Sequence, residues 1–270
     1  MHLIDDLGEE VPLRGTPERV VSLVPCLTEA VQASVNGTDS AAGAASVIVG
    51  ATDYCTHPVD LDVTRVGGSK YPRVNDVLAL QPDLVLANSE ENRKEDVERM
   101  RADGIPVWVM AAPATVPDAL GSLRRLLTQA FGLEEPAWLV DAEHAWSETL
   151  PERKRAVVPV WRKPWVVIGR DTFGGDVLHR LGVANVYADN ADRYPRPKRD
   201  EIAARFDAGE ADLLVLPDEP WEFTEDDGPD AFPGVPYALV SGRYLTWYGP
   251  SLVDAHRELA ATLSEPRVSP

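Results

Sequence analysis

Apolar and polar positions along this chain come in blocks rather than in strict alternation. Short runs of Val, Leu and Ile, such as "RVVSLV", "DLVLA", "WVVIG" and "DLLVL", are separated by stretches of helical period such as "RKEDVERMRADG" and "DEIAARF". Continuous aliphatic runs predict strands covered on both faces, and their alternation with helices predicts an α/β architecture with mainly parallel sheets. The first half predicts a turn at "DDLGEE", a strand ending at Pro25 and a helix over "LTEAVQASV". Strands at "SVIVGAT" and "RVGG", a helix over "RVNDVLAL", the strand "DLVLA", the helix "RKEDVERMRADG" and the strand "PVWVM" follow. Gly104 is placed as the left-handed residue that closes the last of these helices.

From Thr115 to Leu150 the period is helical throughout. Thr115 and Pro117 make a helix start, and "FGLEEP" interrupts the run before "AWLVDAEHAWSETL". Beyond Pro151 the alternation resumes with "RAVVPVW", "WVVIG", "GGDVLHRLG", "NVYA", "DEIAARF", "DLLVL", "YALV" and a final helix from about Leu252 to Leu263. The expected organisation is an N-terminal α/β lobe over 1–114, a helical linker over 115–152 that includes a backbone helix, and a C-terminal α/β lobe over 153–270.

Composition narrows what such a fold could serve. The net charge of −18 over 270 residues opposes nucleic acid and anionic membrane surfaces, both of which recruit Lys and Arg. No run reaches the roughly 18 apolar residues that a membrane-spanning helix needs. The opening "MHLIDDLGEEVPLRG" has neither the basic and apolar regions of a secretory signal nor a lipoprotein-type Cys, which predicts a cytoplasmic protein. A trimmed signal would make it periplasmic or extracellular instead. Cys26 and Cys55 are too few for a disulfide framework, and with five histidines the chain is poor in metal ligands.

Little of the local chemistry is catalytic. The turn at "GRDTFGG" has neither a phosphate-loop pattern nor a nucleophile elbow. Asp171 and Thr172 read as helix caps, and Arg170 either meets a ligand or pairs with Asp171 or Asp176. Trp161 reads as core. Pro25 and Cys26 end a strand and begin a helix, so Cys26 is either a small buried residue or a thiol activated by the helix N-terminus. Cys55 and His57 lie two apart, and even with Cys26 they fall short of a zinc site. His144, His179 and His256 fall in helical stretches that read as solvated. Glu90, Glu91 and Asn92 read as an acidic helix start capped by Ser89 or Asn92. Glu219, Trp221, Trp247 and Tyr248 follow predicted strands or precede the last helix, where a flat ligand would be clamped.

Several motifs recur in order: "GATDYCTHP", "VGGSKYPRVNDVLALQPDLVLANSEEN", "RKPWVVIGRDTF", "NVYADNADRYPRPKRDEI" and "LTWYGPSL". Together they resemble the substrate-binding proteins of cobalamin and ferric-siderophore ABC importers, of the helical-backbone type, and in particular the vitamin B12-binding branch. The resemblance spans about Ile4 to Leu263. It implies two α/β lobes joined by a helix, with a ligand cleft between the lobes and no chemistry on the ligand. It also implies ligand contacts at Tyr54, Trp165 and Tyr194, a cleft-facing position for Glu90 and Asn92, and acidic residues that dock a permease. Asn75 stands where a docking Glu is usual, beside Asp76, whereas Asp200 keeps an acid in the second lobe. The segment from Asn36 to Ser46 is longer than the compact turn expected there.

The expected function is therefore a non-catalytic, monomeric binder of a small molecule. It needs no cofactor, and its ligand would be a corrinoid or, alternatively, a ferric siderophore, haem or another metal chelate. The expected ligand-binding residues are Pro25, Cys26, Tyr54, Cys55, Glu90, Asn92, Trp165, Arg170, Tyr194, Glu219, Trp247 and Tyr248, with no catalytic or metal-binding set. An enzyme with Cys26 or Cys55 as nucleophile and Glu90 or Glu219 as acid or base is the alternative of another class.

Overall fold

The strand-length runs assemble into two separate five-stranded sheets. A computed structural model describes residues 3–35 and 46–268. The expected long turn after Asn36 lies, but for Ser46, outside the described residues. In chain order the first elements are β1 (Leu3–Ile4), β2 (Glu10–Val11), β3 (Val20–Ser22), α1 (Pro25–Val35), β4 (Ile48–Ala51), β5 (Thr64–Arg65), α2 (Val74–Ala79), β6 (Leu84–Asn88), α3 (Lys94–Ala102) and β7 (Val107–Met110). Strands β5-β4-β3-β6-β7 form an all-parallel sheet in that order. Every residue of β3, β6 and β7 is buried, as continuous apolar runs require. Gly104 does close α3, with φ +82 just past the Asp103 cap.

The predicted turn at "DDLGEE" connects β1 to β2 in an antiparallel hairpin, and it does more than turn the chain. The Asp5 carboxylate accepts the amides of Leu7 and Glu9 through Oδ1, and through Oδ2 it takes Val109 N at 3.3 Å and pairs with Arg101 at 2.7 Å. Asp6 accepts Ala111 N at 3.2 Å and pairs with Arg125 at 3.1 Å. Two carboxylates thus occupy the hydrogen-bonding groups of the edge strand β7, which would otherwise offer a free template for pairing.

The helical stretch holds α4 (Val116–Arg125), a π-helical turn over Leu126–Ala130 and α5 (Ala137–Ala145). Thr115 Oγ1 accepts Asp118 N, as the predicted helix start requires. The chain divides into two compact units. One comprises the described residues of Met1–Ala112 with Leu120–Val140 and Tyr248–Pro250; the other comprises Pro113–Ala119, Asp141–Trp247 and the described residues of Ser251–Pro270. The helical stretch is therefore shared out between the units and is not a unit of its own.

The second unit contains β8 (Lys154–Val157), β9 (Pro159–Arg162), β10 (Trp165–Val167), α6 (Phe173–Arg180), β11 (Val183–Asn185), α7 (Arg199–Asp207), β12 (Leu213–Pro217), β13 (Pro236–Val240), α8 (Gly242–Thr246), α9 (Leu252–Ser264) and β14 (Arg267–Val268). Its sheet runs β11-β8-β12-β13-β14, parallel except for β14, while β9 and β10 form a separate antiparallel hairpin. The strand expected at "NVYA" lies two residues earlier. Asn185 Oδ1 accepts Tyr187 N, and this Asx turn ends the strand before Val186.

Candidate functional site

In a parallel sheet all strands end on one side, so loops that are far apart in sequence meet along one edge. In the first unit those loops follow Ser22, Ala51, Arg65 and Asn88, and a small hydrogen-bond network ties them down. Asn88 Nδ2 donates to Tyr248 Oη at 2.7 Å, and Asn88 Oδ1 accepts the amides of Glu90 and Glu91. Asn92 Oδ1 accepts Asn88 N at 2.7 Å, while its Nδ2 donates to Ser69 O at 2.8 Å and reaches toward Leu23 O. Tyr248 also hydrogen-bonds the Cys26 side chain. Gly249 lies over Cys26 O, where a Cβ would approach to 3.3 Å. Asn92 is thus a buried brace, and neither it nor Ser89 caps α3: Ser89 Oγ instead accepts Ala112 N. That helix starts at an Arg93 held bidentate by Asp96, at 2.9 Å for both bonds.

Both thiols sit inside this framework. Pro25 and Cys26 are buried in the first turn of α1, and Cys55 is fully enclosed with Thr28 and Thr52 hydroxyls 3.1 Å from its sulfur. Burial pushes both thiols above their ordinary value, Cys26 most, and for Cys26 the nearby Glu91 charge adds to the effect. Of the two readings of Cys26, the small buried residue is the one that its burial and raised thiol fit. Arg65 fixes the Cys55 loop by donating to Thr52 O, Cys55 O and Leu61 O.

What this edge leaves open is aromatic. Tyr54 is 62% exposed and Tyr71 70% exposed, one after β4 and the other after β5. A Cβ at Gly68 would stand 3.3 Å from the Tyr54 ring, and the Arg93 guanidinium lies 4.9 Å above the Tyr71 ring. Tyr71 has no local signal in the sequence beyond its place in a resembling motif. Glu90 is part-buried beside this pair, with its backbone carbonyl approached by Lys70.

In the second unit the candidates separate. Trp165 opens β10 but points into the core. It is 9% exposed, stacks at 5° on Phe223 with 6.1 Å between centroids, and touches Phe232 at 5.3 Å. Trp161, expected as core, is instead 40% exposed and meets Trp221 edge-on, because the antiparallel hairpin turns the two tryptophans to different surroundings. Arg162 anchors this hairpin by pairing with Asp227 and with Asp230 at 2.6 Å. The Arg162 hydrogen bond is the main reason the Asp230 carboxyl is held down at about 2.

Arg170 is exposed and pairs with Asp171 at 3.4 Å, whereas Asp176 pairs with Arg180 and accepts Val116 N. Asp171 takes a left-handed φ of +51. Thr172 occupies the cap position of α6 but donates its hydroxyl back to Gly169 O, so neither residue caps with its side chain. Tyr194 is exposed next to the end of β10, where Gly169 N and Val167 N bond the 193–195 segment. Glu219 and Trp247 meet through a hydrogen bond, and burial raises the Glu219 carboxyl above its ordinary range, with Asp218 adding to the rise. Of the helical histidines, His144 and His179 are exposed, but His256 is part-buried against Trp146, which lowers its basicity. Among the described residues no three His, Cys, Asp or Glu side chains are grouped to hold a metal.

Residues 20–216 match the family model described as periplasmic binding protein. The chain belongs to that family. This binding protein is 23% identical to the vitamin B12-binding protein of Pectobacterium atrosepticum over 94% of its own chain and 91% of that relative. It is also 23% identical to the vitamin B12-binding protein of Vibrio parahaemolyticus, over 70% of this chain and 68% of the other. The periplasmic heme-binding protein of Roseiflexus sp. RS-1 in apo form shares its fold with a TM-score of 0.70, 19% identity and coverage of 92% of this chain and 98% of that one. The periplasmic vitamin B12 binding protein of Vibrio cholerae does so with a TM-score of 0.67, 16% identity, and 92% and 97% coverage. Both structures share the two α/β lobes with mainly parallel sheets. The cytoplasmic placement expected from the N-terminus finds no support in a family whose name and structural relatives are periplasmic. Among the described residues no helix is long and apolar enough to cross a membrane.

Proposed function

We propose that this protein is a monomeric, non-catalytic binding protein that holds a small flat ligand of the corrinoid kind outside the cytoplasm. The observation that carries the reading is the pair of exposed tyrosines, Tyr54 and Tyr71, on a strand-end edge whose other polar groups are tied to one another. Exposed rings beside a rigid frame suit stacking on a flat ligand at little entropic cost. The likeness to vitamin B12-binding proteins along nearly the whole chain supports the corrinoid class. In the first unit Glu90 is a further candidate contact, while Cys26, Cys55, Asn92 and Tyr248 hold the frame; in the second unit, taken by itself, Arg170, Tyr194, Glu219 and Trp247 are the candidates. Two buried thiols with raised pKa values are poorly placed for nucleophilic chemistry, which supports binding over catalysis.

Haem is the second reading, favoured by the fold shared with heme-binding proteins and by the two exposed tyrosines. Delivery to an importer leans on the second unit. Asp200 is 89% exposed at its side chain, whereas Asn75 accepts a hydrogen bond from Arg99 and Asp76 is paired with Arg73. Titration with cyanocobalamin and with hemin, followed by tryptophan quenching and visible absorption, tests the reading. Saturable binding of cyanocobalamin is expected. Saturation by hemin alone would transfer the assignment to haem, and saturation by neither would end it.

A further inference from the structure

One carboxyl group in the second unit is left without the partner its burial calls for. Glu219 lies two residues past the end of β12. Its carboxyl hydrogen-bonds Trp247, but its Oε1 is sealed from solvent and has no hydrogen-bond partner among the described residues. The side chain is pressed against the first residue of α8, where a Cβ on Gly242 would lie 2.2 Å from Glu219 Cγ, so only glycine leaves room for it. The charged groups facing it are Asp218 on the same turn, whose Oδ1 accepts Gly242 N at 2.6 Å, and Arg243 on α8. Neither supplies a hydrogen bond to Oε1.

Leaving a buried acceptor unsatisfied is costly, and more so for a carboxylate. Such a group is explained when a ligand completes it, and strand ends of open α/β sheets are where ligands collect. The residue as a whole is only part-buried. The carboxyl torsion is broad, so Oε1 is not locked in one orientation. We propose that Glu219 is the acceptor for an N–H or O–H donor of the ligand, so that the site takes a ligand edged by carboxamides and rejects a carboxylate at that position. The inference rests on the ligand-binding reading above and sharpens it, because the carboxamide edge of a corrinoid supplies such donors and the carboxylates of haem do not. A site built to accept a hydrogen bond discriminates strongly against an analogue that lacks the donor.

The test compares dicyanocobinamide, whose side chains are amides, with dicyanocobyrinic acid, in which they are carboxylic acids, at pH 7. Both are titrated into the full chain and into the isosteric variant Glu219→Gln, with melting curves to establish folding. Wild type should bind the amide form at least about 10-fold more tightly. Glu219→Gln, whose amide can donate, should hold the amide form within about 3-fold and bind the acid form about 10-fold better than wild type does. If that variant fails to fold, Glu219→Asp keeps the charge but withdraws the oxygen; it should lose amide affinity and still reject the acid. Equal binding of both forms by wild type, or an unchanged preference in Glu219→Gln, overturns the proposal while leaving the binding reading intact. Binding of neither form by folded wild type overturns both.

Discussion

The strand-end edges of the two units are built from different materials. In the first, Asn88, Asn92, Tyr248 and Cys26 are linked by hydrogen bonds, Cys55 is held separately by Thr28 and Thr52, and burial is nearly complete. In the second, the polar candidates stand apart: Arg170 and Tyr194 are exposed, Glu219 is half-buried, and stability is concentrated in the Trp165–Phe223–Phe232 cluster. A directional network is rigid but intolerant, because removing one member strands its neighbours. An aromatic cluster is non-directional and loses stability with lost volume. Burial alone therefore does not mark a binding residue in this fold. It marks a brace in one unit and a core wedge in the other.

The contrast can be broken at four places. Trp165→Ala should have the largest effect, about 3–5 kcal/mol of unfolding free energy by urea denaturation, since it empties a buried aromatic position. A loss below about 1 kcal/mol with abolished ligand binding would move Trp165 from the core to the ligand face. Asn92→Ala should cost about 2–3 kcal/mol, more than its small volume suggests, because Asn88 N is left buried without an acceptor. Tyr248→Phe should cost about 1–2 kcal/mol and slow the reaction of Cys26 with a thiol reagent, since the hydroxyl whose hydrogen bond favours the thiolate is gone. A thiol rate unchanged from wild type would show that the Tyr248 hydroxyl does not act on Cys26.

The smallest effect concerns acid. Asp230 has a folded pKa of about 2, below its ordinary 3.8, so the Arg162 pair stabilises above about pH 3.8 and its contribution fades as pH falls toward 2. Arg162→Met should therefore be less stable than wild type at pH 7, by a margin that is clearly smaller at pH 2.5. The gap should stay under about 1 kcal/mol because Asp230 is half exposed. A gap of the same size at both pH values would assign the role of Arg162 to packing over the Trp165 ring.

Most elements of the fold are legible in the sequence because their signals are local. Continuous Val and Leu runs marked the buried parallel strands, and Gly104 marked the end of α3. The candidate site was legible only where a side chain lies just past its own strand, as Tyr54 does. Tyr248 reaches Asn88 across 160 residues and Arg162 reaches Asp230 across 68, so neither pairing leaves any trace in a local window. Trp161 and Trp165 have the reverse of the exposures expected of them, for a similar reason. Which face of a hairpin is covered depends on Phe223 and Phe232, two turns of sequence later than anything their spacing reveals.

The two carboxylates that cover β7 bear on how the chain matures. Asp5 and its backbone partner Val109 are 104 residues apart. At ribosomal speeds of about 5–20 residues per second, the hairpin waits roughly 5–20 s before the strand it shields has been made. The other four strands of that sheet can pair in the interval, so the last edge is sealed by a hairpin made before any of the five strands.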